Sequence, residues 1–338
     1  GVPFRGAGRD AENEGRDYAV RGRRFVTYGH TRHVPVLLQE ILDGLPADPA
    51  GYYLDATLGG GGYTLQLMKR LTRGKVIAFD RDPGAIAHAR TVLGDDPRYE
   101  LVHANFEEIE REWAKGGWPA PQGIVYDLGL SSIQLEDPDR GFSFQAGDAP
   151  LDMRYDREQA GPSAADIVNA ASEQELADMF YEHGERAGRR IARRIVAERE
   201  RAPIDTAGRL AGIVAAASGR RRGRPGRHPA TRVFLALRMV VNREAESLAS
   251  SLHQALRLAA PGGRIAVVAY QSREDALAKH LFRRAAKGCR CELPPDECLC
   301  DFPPVVKLVH KGVIVPQEKE IADNPRSRSA RLRIVERI

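Results

Sequence analysis

YYLDATLGGGGYTLQLMKRL, from Tyr52 to Leu71, carries an apolar run into four consecutive glycines and then into helical spacing. A strand-length apolar run, a bare loop and a helix, in that order, make the opening step of a doubly wound α/β sheet. The step repeats downstream. KVIAFD (Lys75–Asp80) reads as a second strand, followed by the helix PGAIAHARTVL (Pro83–Leu93) with proline in its first turn. YELVHANF (Tyr99–Phe106) and GIVYDLG (Gly123–Gly129) read as the third and fourth strands. Strands alternating with helices predict parallel βαβ units with right-handed crossovers.

The next strand pattern, GGRIAVVAY (Gly262–Tyr270), begins more than a hundred residues later. A crossover needs only about a dozen residues, so something is inserted. Ala165–Pro203 is helical in pattern, which predicts an all-α insertion over 137–228. PVVKLVH (Pro304–His310) and ARLRIVERI (Ala330–Ile338) supply two more strands, a total that fits a seven-stranded sheet closed by a hairpin. The expected organisation is a disordered basic arm over 1–28, a cofactor-binding α/β domain over 29–136 and 229–338, and a helical insertion over 137–228 for substrate recognition.

Hydrophobic residues make up 42% of the chain, which excludes a disordered protein. No apolar run is long enough for a membrane span, and the N-terminal residues lack the apolar core of a signal peptide. A cytoplasmic protein is expected. The net charge of +5 is unevenly spread: Arg189, Arg190, Arg193 and Arg194 cluster, and GRRRGRPGRHP (Gly219–Pro229) is denser still. Two basic clusters in one region point to a phosphate backbone as partner. Cys289, Cys291, Cys298 and Cys300 fall together in C-x-C pairs, whereas zinc sites favour two to four intervening residues, so free thiols and no metal are expected.

In doubly wound sheets the ligand lies beyond the carboxyl ends of the strands. Asp55 and Gly59 to Gly62 stand there after the first strand, Asp80 after the second, Asn105 and Phe106 after the third, and Asp127 after the fourth. Glycines let a ligand approach the backbone. A carboxylate about twenty residues beyond a glycine turn is the usual partner of ribose hydroxyls, and Asp80 stands at that offset from Gly59. Phe106 is placed to stack on a base or to sit in the core. GGGGYT lacks the third glycine of the dinucleotide fingerprint, so NAD fits poorly. S-adenosylmethionine has ribose and adenine without phosphate, and Asp55 or Asp127 can balance its cationic amino group. Asp127 is also placed to accept from an exocyclic amine, whose lone pair is otherwise delocalised into its ring.

Several stretches then match one family in order: HVPVLLQEIL, DATLGGGGYT, DRDPGAI, DLGLSS, QLEDPDRGFSF, PLDMR, HPATRVFLALRMVVN, PGGRIAVVAYQS and NPRSRSARLR. The chain resembles the RsmH (MraW) family, the bacterial 16S rRNA cytosine-N4 methyltransferases. The resemblance implies a class I (Rossmann-like) methyltransferase sheet with an inserted all-α domain. It implies S-adenosyl-L-methionine as cofactor and a cytidine in the decoding region of 16S rRNA, within the small ribosomal subunit, as substrate. Gly61, Gly62, Tyr63, Asp80, Phe106, Asp127 and Gln134 correspond to family positions lining the cofactor; Tyr63 and Gln134 come from the resemblance alone. Gly60 and Asp55 complete the expected cofactor set, and Asp127 is the expected catalytic residue.

The chain departs from the family pattern in two places. Many relatives have histidine where Tyr63 stands, and many read FHSLED where this chain has YQSRED (Tyr270–Asp275), so a catalytic histidine there is excluded. That segment is expected to shape the pocket, with Ser272 and Glu274 as polar contacts. For the RNA, Arg140, Phe142 and Phe144 of RGFSF are candidates, since RNA readers stack splayed bases; burial of Phe142 and Phe144 in the domain junction is the alternative. His228, Arg232 and Asn242, in or beside one helix, either face the pocket or RNA or pack the insertion onto the sheet. The rival functions are a nicotinamide-dependent oxidoreductase and a non-catalytic rRNA-binding assembly factor; a homodimer is left open.

Overall fold

The computed structural model describes residues 26–28, 31–33, 35–144, 147–218, 228–288, 300 and 302–338. The expected arm therefore lies outside the described residues except for its last three. These form β1 (Val26–Tyr28), paired antiparallel with β2 (Thr31–His33). Arg220 to Arg227 and Cys289, Cys291 and Cys298 also lie outside the described residues.

Helix α1 (Leu38–Gly44) leads into β3 (Tyr52–Asp55), α2 (Gly62–Met68), β4 (Lys75–Asp80), α3 (Pro83–Leu93), β5 (Tyr99–His103), α4 (Ile109–Gly116) and β6 (Gly123–Asp127). The sheet is completed by β7 (Arg264–Ala269), β8 (Val306–Leu308) and β9 (Arg331–Arg337), in the order β5-β4-β3-β6-β7-β9-β8. The first five are parallel, and β9 runs antiparallel between β7 and β8. This is the seven-stranded class I sheet with its closing hairpin. The order reverses between β3 and β6, and that switch point opens a crevice at the strand ends.

The strands alternate strictly, yet both faces are apolar, as a sheet covered on two sides requires. Leu54, Ile77, Phe79, Ile124, Tyr126, Ile265 and Val267 share one core with α4, α11 (Glu244–Leu258) and α12 (Ser272–Ala286). Their neighbours Tyr53, Val76, Ala78, Val125, Ala266 and Val268 face the other way, onto α1, α2 and α3.

Between β6 and β7 the chain makes α5 (Ser132–Glu136), α6 (Ala164–Ala170), α7 (Glu173–Glu182), α8 (Gly188–Arg199), α9 (Ala207–Ser218) and α10 (Ala230–Val241). Ser163 and Ser172 open α6 and α7 with reciprocal caps to Asp166 and Glu175. Helices α6 to α10 enclose a third core of their own. Val233, Phe234, Ala236 and Leu237 belong to it, so the helical layer runs through Val241 and does not end near residue 228. The cause is the apolar stripe of α10, which packs on α6, α7 and α9. Helix α8 buries Ile191, Ala192 and Ile195 and exposes Arg189, Arg190, Arg193 and Arg194. Helix α13 (Glu318–Asp323) precedes β9. Among the described residues no helix is long and apolar enough to cross a membrane.

Candidate functional site

A cavity of about 360 Å³ opens at the carboxyl ends of β3, β4 and β6. Its wall takes Gly59, Gly60, Gly62 and Tyr63 from the glycine loop and α2, Asp80 and Arg81 from the end of β4, and Phe106 from beyond β5. Asp127 and Gln134 come from the end of β6 and α5, and Tyr270 from the end of β7. Tyr155 and Arg238 reach in from the helical layer.

The loop is held by the acid that follows it. Asp80 accepts the Gly59 N–H through Oδ2 at 2.8 Å and the Asp82 N–H through Oδ1 at 2.9 Å. Burial pushes its carboxyl up to about 6, against the pull of those two bonds. Gly61 caps α2 in the left-handed region, at φ 77°. At Gly62 a Cβ would stand 2.7 Å from Cγ of Pro35, itself part of the wall. So Gly61 serves the turn and Gly62 a close approach; Gly61 is not on the cavity wall.

Asp55 is placed differently from expectation. It is fully buried behind the wall, where Oδ2 accepts the Thr64 hydroxyl at 2.7 Å and Oδ1 the Thr57 N–H at 3.2 Å. It fixes the loop from behind and is not on the cavity wall. Burial pushes it up to about 6.

Asp127 does face the cavity. Its N–H donates to the Thr57 hydroxyl at 2.6 Å, and its Oδ1 accepts the Tyr270 hydroxyl at 2.8 Å. Burial drives its carboxyl up to about 7; the Tyr270 bond opposes this, while the charges of Asp55 and Glu274 add to it. An acid titrating near neutrality beside an open cavity is suited to proton transfer.

Several residues on or behind the cavity wall were not among the candidate site residues. Asp82 caps α3 through Gly84 N–H at 2.9 Å, accepts Nε2 of Gln134 at 3.0 Å, and pairs with Arg140 at 2.5 Å. Its signal was in DRDPGAI, where an aspartate before proline opens a helix. Arg81 donates to the Asn242 carbonyl at 2.9 Å and lies 5.5 Å from the Tyr155 ring centre. Arg238 forks onto Glu244 with two bonds of 2.7 Å. Tyr155 completes that cluster, its hydroxyl donating to Glu244 at 2.9 Å. No local signal marks Arg81 or Tyr155, because their partners are distant in sequence; Arg238 lies one turn before Asn242 on the helix whose polar groups were expected to face the pocket or RNA, and its partner Glu244 is only six residues on.

The RNA candidates divide. Arg140 is buried: it pairs with Asp82 and donates to the carbonyls of Arg154 and Tyr155, so it cannot reach a polynucleotide without unpacking. Phe142 is buried and stacks on Tyr155 with centres 5.5 Å apart. Asn242 is buried, its side chain accepting the Tyr155 N–H at 2.9 Å and donating to the Met153 carbonyl at 2.7 Å. Arg140, through Asp82, and Asn242, through Arg81, tie the helical layer to the sheet side, whereas Phe142 packs within the helical layer's own core. Phe144 stacks on His228 at 4.5 Å and meets Phe234 edge-on. His228, Arg232 and Ser272 are exposed and off the cavity wall. Glu274 is turned inward, where it accepts the N–H groups of Tyr270 and Gln271, both at 3.1 Å. Among the described residues no group of three or more histidines, cysteines or acids could hold a metal.

Residues 30–338 match the model of the MraW methylase family. The chain belongs to the MraW methylase family. Three relatives carry the name ribosomal RNA small subunit methyltransferase H. That of Thermomicrobium roseum is 47% identical over 311 residues, which cover 91% of this chain and 94% of the relative. That of Beijerinckia indica is 47% identical over 311 residues, 90% and 85% of the two chains. That of Paenibacillus sp. is 42% identical over 319 residues, 91% and 99%. The family match thus takes in both the sheet and the helical layer, so both walls of the cavity lie within it.

Proposed function

We propose that the chain transfers a methyl group from S-adenosylmethionine to the exocyclic N4 of a cytidine in 16S rRNA, within the small ribosomal subunit and in the cytoplasm. One observation carries this reading: Asp80 and Asp127 line a single cavity together with the glycine loop. Membership of a methylase family says which chemistry such a cavity serves.

The residues present fit the cofactor. Asp80, Phe106, Gln134, Gly59 and Gly60 all line the cavity; Asp80 would hold the ribose diol, Phe106 and Gln134 the adenine, and the backbone of Gly59 and Gly60 the methionyl chain. S-adenosylmethionine, when bound, supplies an electrophilic methyl group on sulfur. Asp127 accepts an N–H of the cytosine amine, returning electron density to nitrogen as it attacks, and fixed geometry supplies much of the rate. The cytidine enters unpaired or flipped out. The four exposed arginines of α8 give the helical layer a basic face for the rRNA backbone, although Arg193 and Arg194 also reach Glu173 and Glu198.

Mass mapping of methylated cytidines in rRNA, from cells with and without the protein, tests the reading. One N4-methylcytidine in 16S rRNA should vanish with the protein. An unchanged map overturns the assignment.

A further inference from the structure

The wall residue nearest in bonding to Asp127 is Tyr270, and three contacts clamp it. Its ring packs over Gly129, where a Cβ would come within 3.4 Å of the ring. Its N–H is held by Glu274 at 3.1 Å. Its hydroxyl donates to Oδ1 of Asp127 at 2.8 Å, and both residues line the cavity. From the other side, Thr57 fixes the Asp127 backbone.

We propose that Tyr270 is a positioning residue for methyl transfer: by donating to Oδ1 it holds the Asp127 carboxylate in one orientation and leaves Oδ2 to accept from the target amine. The inference rests on the reading of this cavity as the transfer site. In the transfer the amine nitrogen gains an N–C bond while the methyl C–S bond breaks, its electron pair staying on sulfur. The surplus proton on nitrogen passes to Asp127.

The surroundings give the hydroxyl a second effect. Asp55 at the end of β3, Glu274 on α12 and the phenols of Tyr63 and Tyr270 interact electrostatically with Asp127, and Asp80 and Arg238 line the same cavity. The nearby acids and the burial all favour the protonated carboxyl, whereas the Tyr270 hydrogen bond favours the ionised one. Removing the hydroxyl therefore frees the carboxylate to rotate and raises the pH at which it ionises.

The test compares wild type, Tyr270→Phe and Asp127→Asn. Each receives S-adenosylmethionine and small subunits lacking the mark, and single-turnover methylation is followed from pH 6 to pH 9. Affinity for S-adenosylhomocysteine is measured in parallel by calorimetry. Tyr270→Phe should be slower by about tenfold at pH 7. It should regain rate as pH rises, with its acid limb displaced upward by about one unit, while its affinity for S-adenosylhomocysteine stays within about twofold of wild type. A wild-type rate and limb in Tyr270→Phe, with Asp127→Asn inactive, overturns the positioning role and leaves the transfer site standing. A loss equal at every pH, with weakened S-adenosylhomocysteine binding, also overturns it, since packing alone would do that. Full activity in Asp127→Asn overturns the underlying site assignment instead.

Discussion

Replacing Arg140 with methionine separates a structural role from an RNA contact. The guanidinium pairs with Asp82, and both side chains are at most 9% exposed. Removing it leaves a buried carboxylate with two remaining donors, Gly84 N–H and Gln134 Nε2. It also strips donors from the carbonyls of Arg154 and Tyr155. Breaking a buried ion pair by deleting one partner costs about 3–5 kcal/mol; the two surviving bonds place this case near the lower end. At roughly 1–2 °C per kcal/mol for a chain of this length, the ligand-free melting midpoint should fall by about 3–8 °C. Differential scanning calorimetry reads this directly. Arg232→Met, at an exposed position, should change stability by no more than about 0.5 kcal/mol. A phosphate contact behaves otherwise: it would leave melting unchanged and lower the salt slope of RNA binding by about one. That second pattern in Arg140→Met would refute the buried-pair reasoning.

Asp80→Ala should weaken S-adenosylhomocysteine binding by about 10–100-fold, as expected for losing hydrogen bonds to a charged acceptor; unchanged calorimetric affinity would remove the ribose assignment. Gly61→Ala forces a side chain into left-handed backbone and should cost about 1–2 kcal/mol in urea unfolding, with no loss if α2 re-caps elsewhere. Asp55, Asp80, Asp127 and Glu274 all titrate well above ordinary carboxylates, at about 6, 6, 7 and 7, because burial disfavours their charge. The folded state therefore holds protons that the unfolded chain has released, so their stabilising contribution is full below about pH 4 and is lost as pH rises towards 7. Urea midpoints at pH 5 and pH 8 should show this fall, and Asp127→Asn should reduce it and stabilise the protein at pH 8 by about 1–3 kcal/mol; an equal midpoint at both values would contradict the burial argument.

The strand-end acids were legible because their positions follow from local pattern. A strand that alternates and then stops fixes where its last side chain lies, and Asp80 and Asp127 needed no distant partner to be found. Arg140 was misplaced for the converse reason, whereas Phe142 took the burial that was its alternative. RGFSF has the composition of a base-stacking loop, and only Asp82, 58 residues away, reveals that its arginine is a buried ion-pair partner. Asp55 has the same local credentials as Asp80, yet Thr64 on the following helix turns it inward. The segment from Tyr270 to Asp275 was expected to shape the pocket through Ser272 and Glu274. Helix α12 begins at Ser272, which is exposed, Glu274 folds back onto the backbone, and it is the tyrosine hydroxyl that meets Asp127. In α10 the stripe was readable, but the core it enters was not, since periodicity identifies an apolar face without naming its neighbour.

The cavity draws its wall from two sources, and this bears on selective inhibition. The glycine loop and strand-end acids are features that any doubly wound nucleoside binder can offer a small molecule. Tyr155 and Arg238 descend from the helical layer, which the bare sheet lacks. A compound gripping only the sheet side would cross-react with other enzymes of that architecture. One that also satisfies the Tyr155–Arg238 side would discriminate through contacts those enzymes cannot provide.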